Sequence, residues 1–123
     1  MHLLVDISAH GLGHLAQTAP VIKALQARVP GLQLTIRSAV PRPRLERRIA
    51  SGFDHVPEAR DCGLVMHNAV DIDLGASGKA YRDFHHSWRE QISIEADWLK
   101  ANRVDAVLTN VAYLPLAAAA GSG

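Results

Sequence analysis

The sequence predicts an α/β fold, a Rossmann-like doubly wound parallel sheet of about four strands, read as a partial domain. Three observations predict it. An apolar run at the N-terminus, Leu3-Leu4-Val5 with Ile7, breaks into a glycine turn and restarts as an amphipathic segment. Strand-like and helix-like patterns then alternate along the chain, the βαβ rhythm of a parallel sheet. A last short apolar run, Ala106-Val107-Leu108, follows the longest helical segment.

The first run is the pattern of a strand buried on both faces. Gly11 and Gly13 follow it, permitting positive φ and close approach of a ligand to the main chain. From His14 onward Leu15, Ala19, Ile22 and Leu25 recur at steps of three and four, the stripe of a helix lying on the sheet. Pro20 leaves two options: a helix kinked at that residue, or a regular helix starting near Thr18 with Pro20 in its first turn. In the first option the turn at Ala9, His10, Gly11, Leu12 and Gly13 leads directly into a helix start that favours phosphate or carboxylate.

Pro30 and Gly31 mark the next turn, and Leu32, Leu34 and Ile36 alternate with Gln33, Thr35 and Arg37 as a second strand near an edge. The prolines at 41 and 43 interrupt regular structure, and Leu45 to Ala50 is expected as a short helix. Arg42, Arg44, Arg47 and Arg48 make its surface basic, as a solvated helix end or an anion site. Phe53 to Val56 is a third strand, and Asp61 to Ser77 reads as a long irregular connection of the kind that often carries function. Tyr81, Phe84, Trp88, Ile92, Ala96 and Leu99 share a helical period. They predict one helix from Gly78 to Asn102, about six or seven turns long, with an aromatic-rich buried face. Asn110 stands just beyond the last strand, on the same rim of the sheet as the 9–13 turn, where open parallel sheets bind ligands. Pro115 opens a last helix that barely starts before Gly121-Ser122-Gly123.

One domain is expected from 123 residues, and 48% hydrophobic with 20% charged residues is globular composition. A net charge of +1 gives no electrostatic argument for nucleic acid or an anionic membrane. No apolar run reaches the ~18 residues of a membrane span, and the N-terminus lacks the pattern of a signal peptide. Cys62 is the single cysteine, which excludes an internal disulfide and fits a reducing cytoplasm. Seven histidines raise the question of a metal, but neither His10 with His14 nor His85 with His86 has the spacing of a ligand set, so none is expected.

Four stretches, SAHGLGHLAQ at 8–17, DCGLVMHNAVDID at 61–73, EADWLKANRVDAVLTN at 95–110 and YLPLAAAAG at 113–121, carry a resemblance over nearly the whole chain. Together they resemble the N-terminal half of a GT-B glycosyltransferase, especially the glycosyltransferase-like region of L-arabinokinases. A more distant similarity is to the N-acetylglucosaminyltransferase of peptidoglycan synthesis. The resemblance implies a domain that receives a small-molecule or glycan acceptor, while an absent second domain holds most of a nucleotide-sugar donor. It implies no cofactor bound by this chain alone. It matches His14 to a histidine near the acceptor, suited by its titration range to take a proton from a hydroxyl. Asn110 stands where related sequences tend to carry Asp. By this resemblance the chain is an N-terminal fragment, inactive in isolation.

Two rival readings stay open. Gly11, Gly13 and Ala16 satisfy G-x-G-x-x-A after a strand, so an NADP-binding domain is possible, with Arg37 placed to meet a 2′-phosphate. The other is a non-catalytic, self-associating module or homo-oligomer: a strand order of 3-2-1-4 would leave Ala106 to Leu108 as an open edge, which predicts association by strand pairing.

Overall fold

A computed structural model describes residues 1–50 and 52–121, so the closing Ser122-Gly123 lies outside the described residues. The sheet comprises β1 (His2–Ile7), β2 (Gln33–Arg37), β3 (Asp54–Val56) and β6 (Ala106–Asn110). Their order is β3-β2-β1-β6 and every pairing is parallel. This is the expected doubly wound α/β arrangement, with β6 at one edge. Between them run α1 (Gly13–Arg28), α2 (Arg42–Glu46), a two-stranded ribbon β4 (Met66–Asn68) and β5 (Asp71–Ile72), α3 (Leu74–His85) and α4 (Trp88–Ala101). The helix α5 (Leu114–Gly121) follows β6.

Side-chain alternation along β1 and β2 divides the interior into two layers. Leu3, Val5, Ile7, Leu34 and Ile36 pack with Leu15, Ala19 and Ile22 of α1 and with Leu45 and Ile49. On the other face Leu4 meets Leu99 of α4 and Ala118 of α5. Each fully buried Leu or Ile contributes roughly 1.5–3 kcal/mol, so Leu45 and Ile49, both 0% exposed, hold a five-residue helix that is too short to persist alone.

Of the two options for the first helix, the one in which the turn leads directly into it holds: α1 starts at Gly13 with the exposed Pro20 inside it. Several sequence expectations are corrected. The second short helix starts at Arg42 rather than Leu45, since Pro43 fits a first turn whose N–H groups need no partner. The 61–77 segment is not wholly irregular: it holds the β4–β5 ribbon and the start of α3, capped where the Ala76 N–H donates to Asp73 Oδ1 at 2.8 Å.

The expected single helix from 78 to 102 is two helices, broken at His86-Ser87. Of its aromatics only Trp98 packs toward the sheet, against the Leu4 layer and beside Arg37. Tyr81 is 57% exposed, and Phe84, His85, Trp88 and Tyr113 form a ring cluster at the surface, with Tyr113 Oη donating to His85 Nε2 at 2.7 Å. The buried residues of α4 are Glu95 and Leu99.

Two polar members of the second strand, Thr35 and Arg37, are inside, while Gln33 at its start is exposed. Arg37 is 0% exposed and bridges Asp6 on β1 and Glu95 on α4, with Nη2 donating to Asp6 Oδ2 at 2.7 Å and Nη1 to Glu95 Oε2 at 3.2 Å. Burial works against the Arg37 charge, but the hydrogen bonds to both carboxylates outweigh it and hold the guanidinium above its ordinary value. From Leu34 to Arg37 the alternation therefore separates an apolar layer from a polar one, both buried.

Candidate functional site

The carboxyl ends of β1 and β6 meet at one rim of the sheet, where the chain leaves β1 through Ser8 and turns into α1. The Ser8 N–H donates to the Asn110 carbonyl at 3.3 Å, extending the β1–β6 pairing to the rim. The turn is tight: the Gly11 N–H donates to the Ala9 carbonyl at 2.9 Å, and Gly11 has φ of +82°, a conformation that favours glycine. No atom lies within 4 Å of a Cβ built on Gly11 or Gly13, so no neighbouring side chain occupies the space over either glycine.

His14 is half-buried in the first turn of α1, and its orientation follows from a chain of hydrogen bonds. Thr18 Oγ1 donates to the His14 carbonyl at 2.8 Å. That hydroxyl therefore accepts from Asn110 Nδ2 at 3.1 Å, which turns Asn110 Oδ1 toward His14 Nδ1 at 2.7 Å. An amide oxygen only accepts, so Nδ1 carries the hydrogen and neutral His14 presents the Nε2 lone pair. Nε2 has no protein partner among the described residues.

The opposite wall comes from the 61–69 segment. Ser8 Oγ donates to Asp61 Oδ2 at 2.9 Å and accepts from the His10 N–H at 3.2 Å. His10 Nε2 lies 3.6 Å from the same carboxylate, whose side chain is only 3% exposed. The His10 ring lies against Gly63 so closely that a Cβ there would fall 1.6 Å from Nε2. A second tie is Arg60, paired with Glu58 at 2.9 Å and 3.6 Å from the buried Glu95. Between the walls is a cleft of about 570 Å³, with Ser8, His10, Gly11 and His14 on one side and Cys62, Leu64, Met66 and Val111 among its other lining residues.

Of the residues singled out in the sequence, His10, Gly11 and His14 line this cleft. Ala9 serves the turn through its carbonyl, and Gly13 begins the helix. Leu12 lines a separate depression, with Arg44, Arg47 and Arg48. Asn110 is the last residue of β6 rather than beyond it and stands behind His14. Its amide orients the imidazole through a neutral hydrogen bond.

Sequence reasoning passed over Ser8, Asp61 and Gly63, whose only signal was their place beside a glycine turn and at the start of a long connection. Arg37, expected to reach a 2′-phosphate, is enclosed between Asp6 and Glu95, and its guanidinium is not available at the surface. Among the described residues no group of three or more His, Cys, Asp or Glu side chains is arranged to hold a metal ion.

These features define a class: a doubly wound parallel α/β domain with a largely apolar, histidine-bearing cleft at the carboxyl rim of its sheet. No family model, curated protein or solved structure matches the chain. Among the described residues no helix is long and apolar enough to cross a membrane.

Proposed function

We propose that the chain supplies the acceptor side of a GT-B-type glycosyl transfer, with His14 as the group that receives the acceptor proton. The observation that carries this reading is the hydrogen-bonded series Thr18, Asn110, His14, which leaves an unshared Nε2 lone pair on a residue lining the cleft. As an acceptor oxygen bonds to the anomeric carbon of a nucleotide-sugar, Nε2 takes the hydroxyl proton and the bond from that carbon to phosphate breaks, releasing a nucleoside diphosphate. The donor is held mainly by a second domain, so residues 1–123 alone do not turn over a nucleotide-sugar. The resemblance of the four sequence stretches supports the same assignment, and the single cysteine suits a cytoplasmic enzyme.

The test is a titration of the chain with a panel of mono- and disaccharides, followed through backbone amide and histidine ring resonances. Shifts that saturate and centre on Ser8, Gly11 and His14 are expected from at least one sugar. A panel that leaves those signals unmoved overturns the acceptor reading, and measurable turnover of a nucleotide-sugar by residues 1–123 overturns the need for a second domain.

A second reading rests on β6, which pairs with β1 on one side and has no strand on the other among the described residues. Such an edge can add a strand from a second copy. Light scattering across a concentration series then shows mass rising toward a dimer, and a strict monomer at high concentration overturns it.

A further inference from the structure

The depression beside the glycine turn carries a separate assignment. Leu12, which precedes α1, and Leu15 in its first turn line a hollow of about 280 Å³ together with Arg44, Arg47 and Arg48. The three arginines are exposed, and none has an acidic partner within 4.0 Å among the described residues. The one acidic side chain in this stretch, Glu46, is taken by Arg42 at 2.7 Å. Three uncompensated guanidinium groups therefore share one concavity in a chain whose whole net charge is only +1.

The adjoining end of α1 adds to the field. It has no acidic residue in its first turn and no side-chain cap, so neither its own first turn nor its cap neutralises its positive dipole end. Guanidinium groups present paired N–H donors that match phosphate oxygens two at a time, and several acting together hold a polyanion that one exposed pair would not.

We infer that the Leu12, Arg44, Arg47 and Arg48 hollow is a binding site for a diphosphate-type anion, distinct from the His14 cleft and independent of the glycosyl-transfer reading. The phosphate can belong to a soluble molecule or to a lipid headgroup. Inorganic pyrophosphate is the probe, titrated into the 123-residue chain at low salt and followed by calorimetry and amide resonances. Saturation below about 1 mM is expected. The shifts should centre on residues 12–15 and 44–48, and affinity should fall several-fold between about 0.02 and 0.2 M salt.

The triple substitution R44Q/R47Q/R48Q removes exposed charge only, so its thermal midpoint should match the parent while pyrophosphate affinity drops at least tenfold. His14→Ala should leave the affinity unchanged, which separates this site from the cleft. Vesicles containing phosphatidylglycerol form the second arm. Binding to pyrophosphate without vesicle binding assigns a soluble phosphate, and vesicle binding that pyrophosphate displaces assigns a lipid headgroup to the same arginines. Absence of saturable pyrophosphate binding, shifts centred elsewhere, or equal affinity in the folded triple variant overturns the inference.

Discussion

Substituting Arg37 by Met tests the buried ion cluster, and its cost follows from what remains. Arg37 is fully enclosed and donates to both oxygens of Asp6 and to Glu95. Without it, two carboxylates stay in the interior with Arg60, 3.6 Å from Glu95, as the nearest cation. Breaking a buried pair by removing one partner costs about 3–5 kcal/mol. A second route gives a similar figure. The cluster can relieve itself by protonating one carboxyl, and holding a group of ordinary pKa near 4 protonated at pH 7 costs roughly 4 kcal/mol at 1.36 kcal/mol per unit. Since a small domain has about 5–15 kcal/mol in total, the variant should retain only a fraction of the parent's stability.

The second route also sets a pH dependence. In the variant the buried carboxyls titrate above their unfolded values, so the folded state holds more protons than the unfolded one. Stability is then greatest in acid and is lost as pH rises, which makes the deficit relative to the parent shrink toward pH 5 by about 1.4 kcal/mol per unit. Burial already raises Asp6 above its usual carboxylate value in the parent, against the opposing hydrogen bond from Arg37. Urea denaturation followed by circular dichroism at pH 5, 6 and 7 measures the difference. A deficit under about 1 kcal/mol at pH 7, or one that does not shrink in acid, would refute the reasoning.

Three further outcomes follow. Asn110→Ala removes the acceptor at His14 Nδ1, so nitrogen resonances of the ring should shift from the Nδ1–H form toward a mixture of tautomers, with a stability loss of about 1 kcal/mol; an unchanged tautomer would show that Asn110 does not orient the ring. Gly63→Ala drives a methyl group into the His10 ring, whose side chain is 53% exposed and free to swing outward. Thermal unfolding should therefore change little while the His10 ring signals move, and a large drop in midpoint would show the ring is held more firmly than its exposure indicates. Titration with NADPH, watched by its fluorescence, should give no saturable micromolar binding, because Arg37 is committed to Asp6 and Glu95. Saturable binding would revive the dinucleotide reading.

The sheet and the first site wall were legible in the sequence because local pattern suffices for them. Leu3 to Ile7 followed by Gly11 and a 3.6-residue stripe encodes strand, turn and helix within some twenty residues, and the order of parallel strands follows from right-handed crossovers. The same local signals exposed the basic stretch at 42–48 and brought His14 and Asn110 to one rim.

What only the tertiary structure decided depends on partners far apart in the chain. Arg37 is separated from Asp6 by 31 positions and from Glu95 by 58, so no window could tell a surface arginine from an enclosed one. The aromatic period at 81–88 was real, but which way it faced was set by the break at His86-Ser87, which a smooth heptad-like pattern conceals. His14 acquires a defined tautomer from Asn110, 96 residues away, and Ser8 acquires Asp61 from a loop that has little periodicity to read. Local sequence fixes the backbone's course because hydrogen bonding and apolar spacing act over a few residues. The state of a charge or a ring is set by whichever group the fold brings against it.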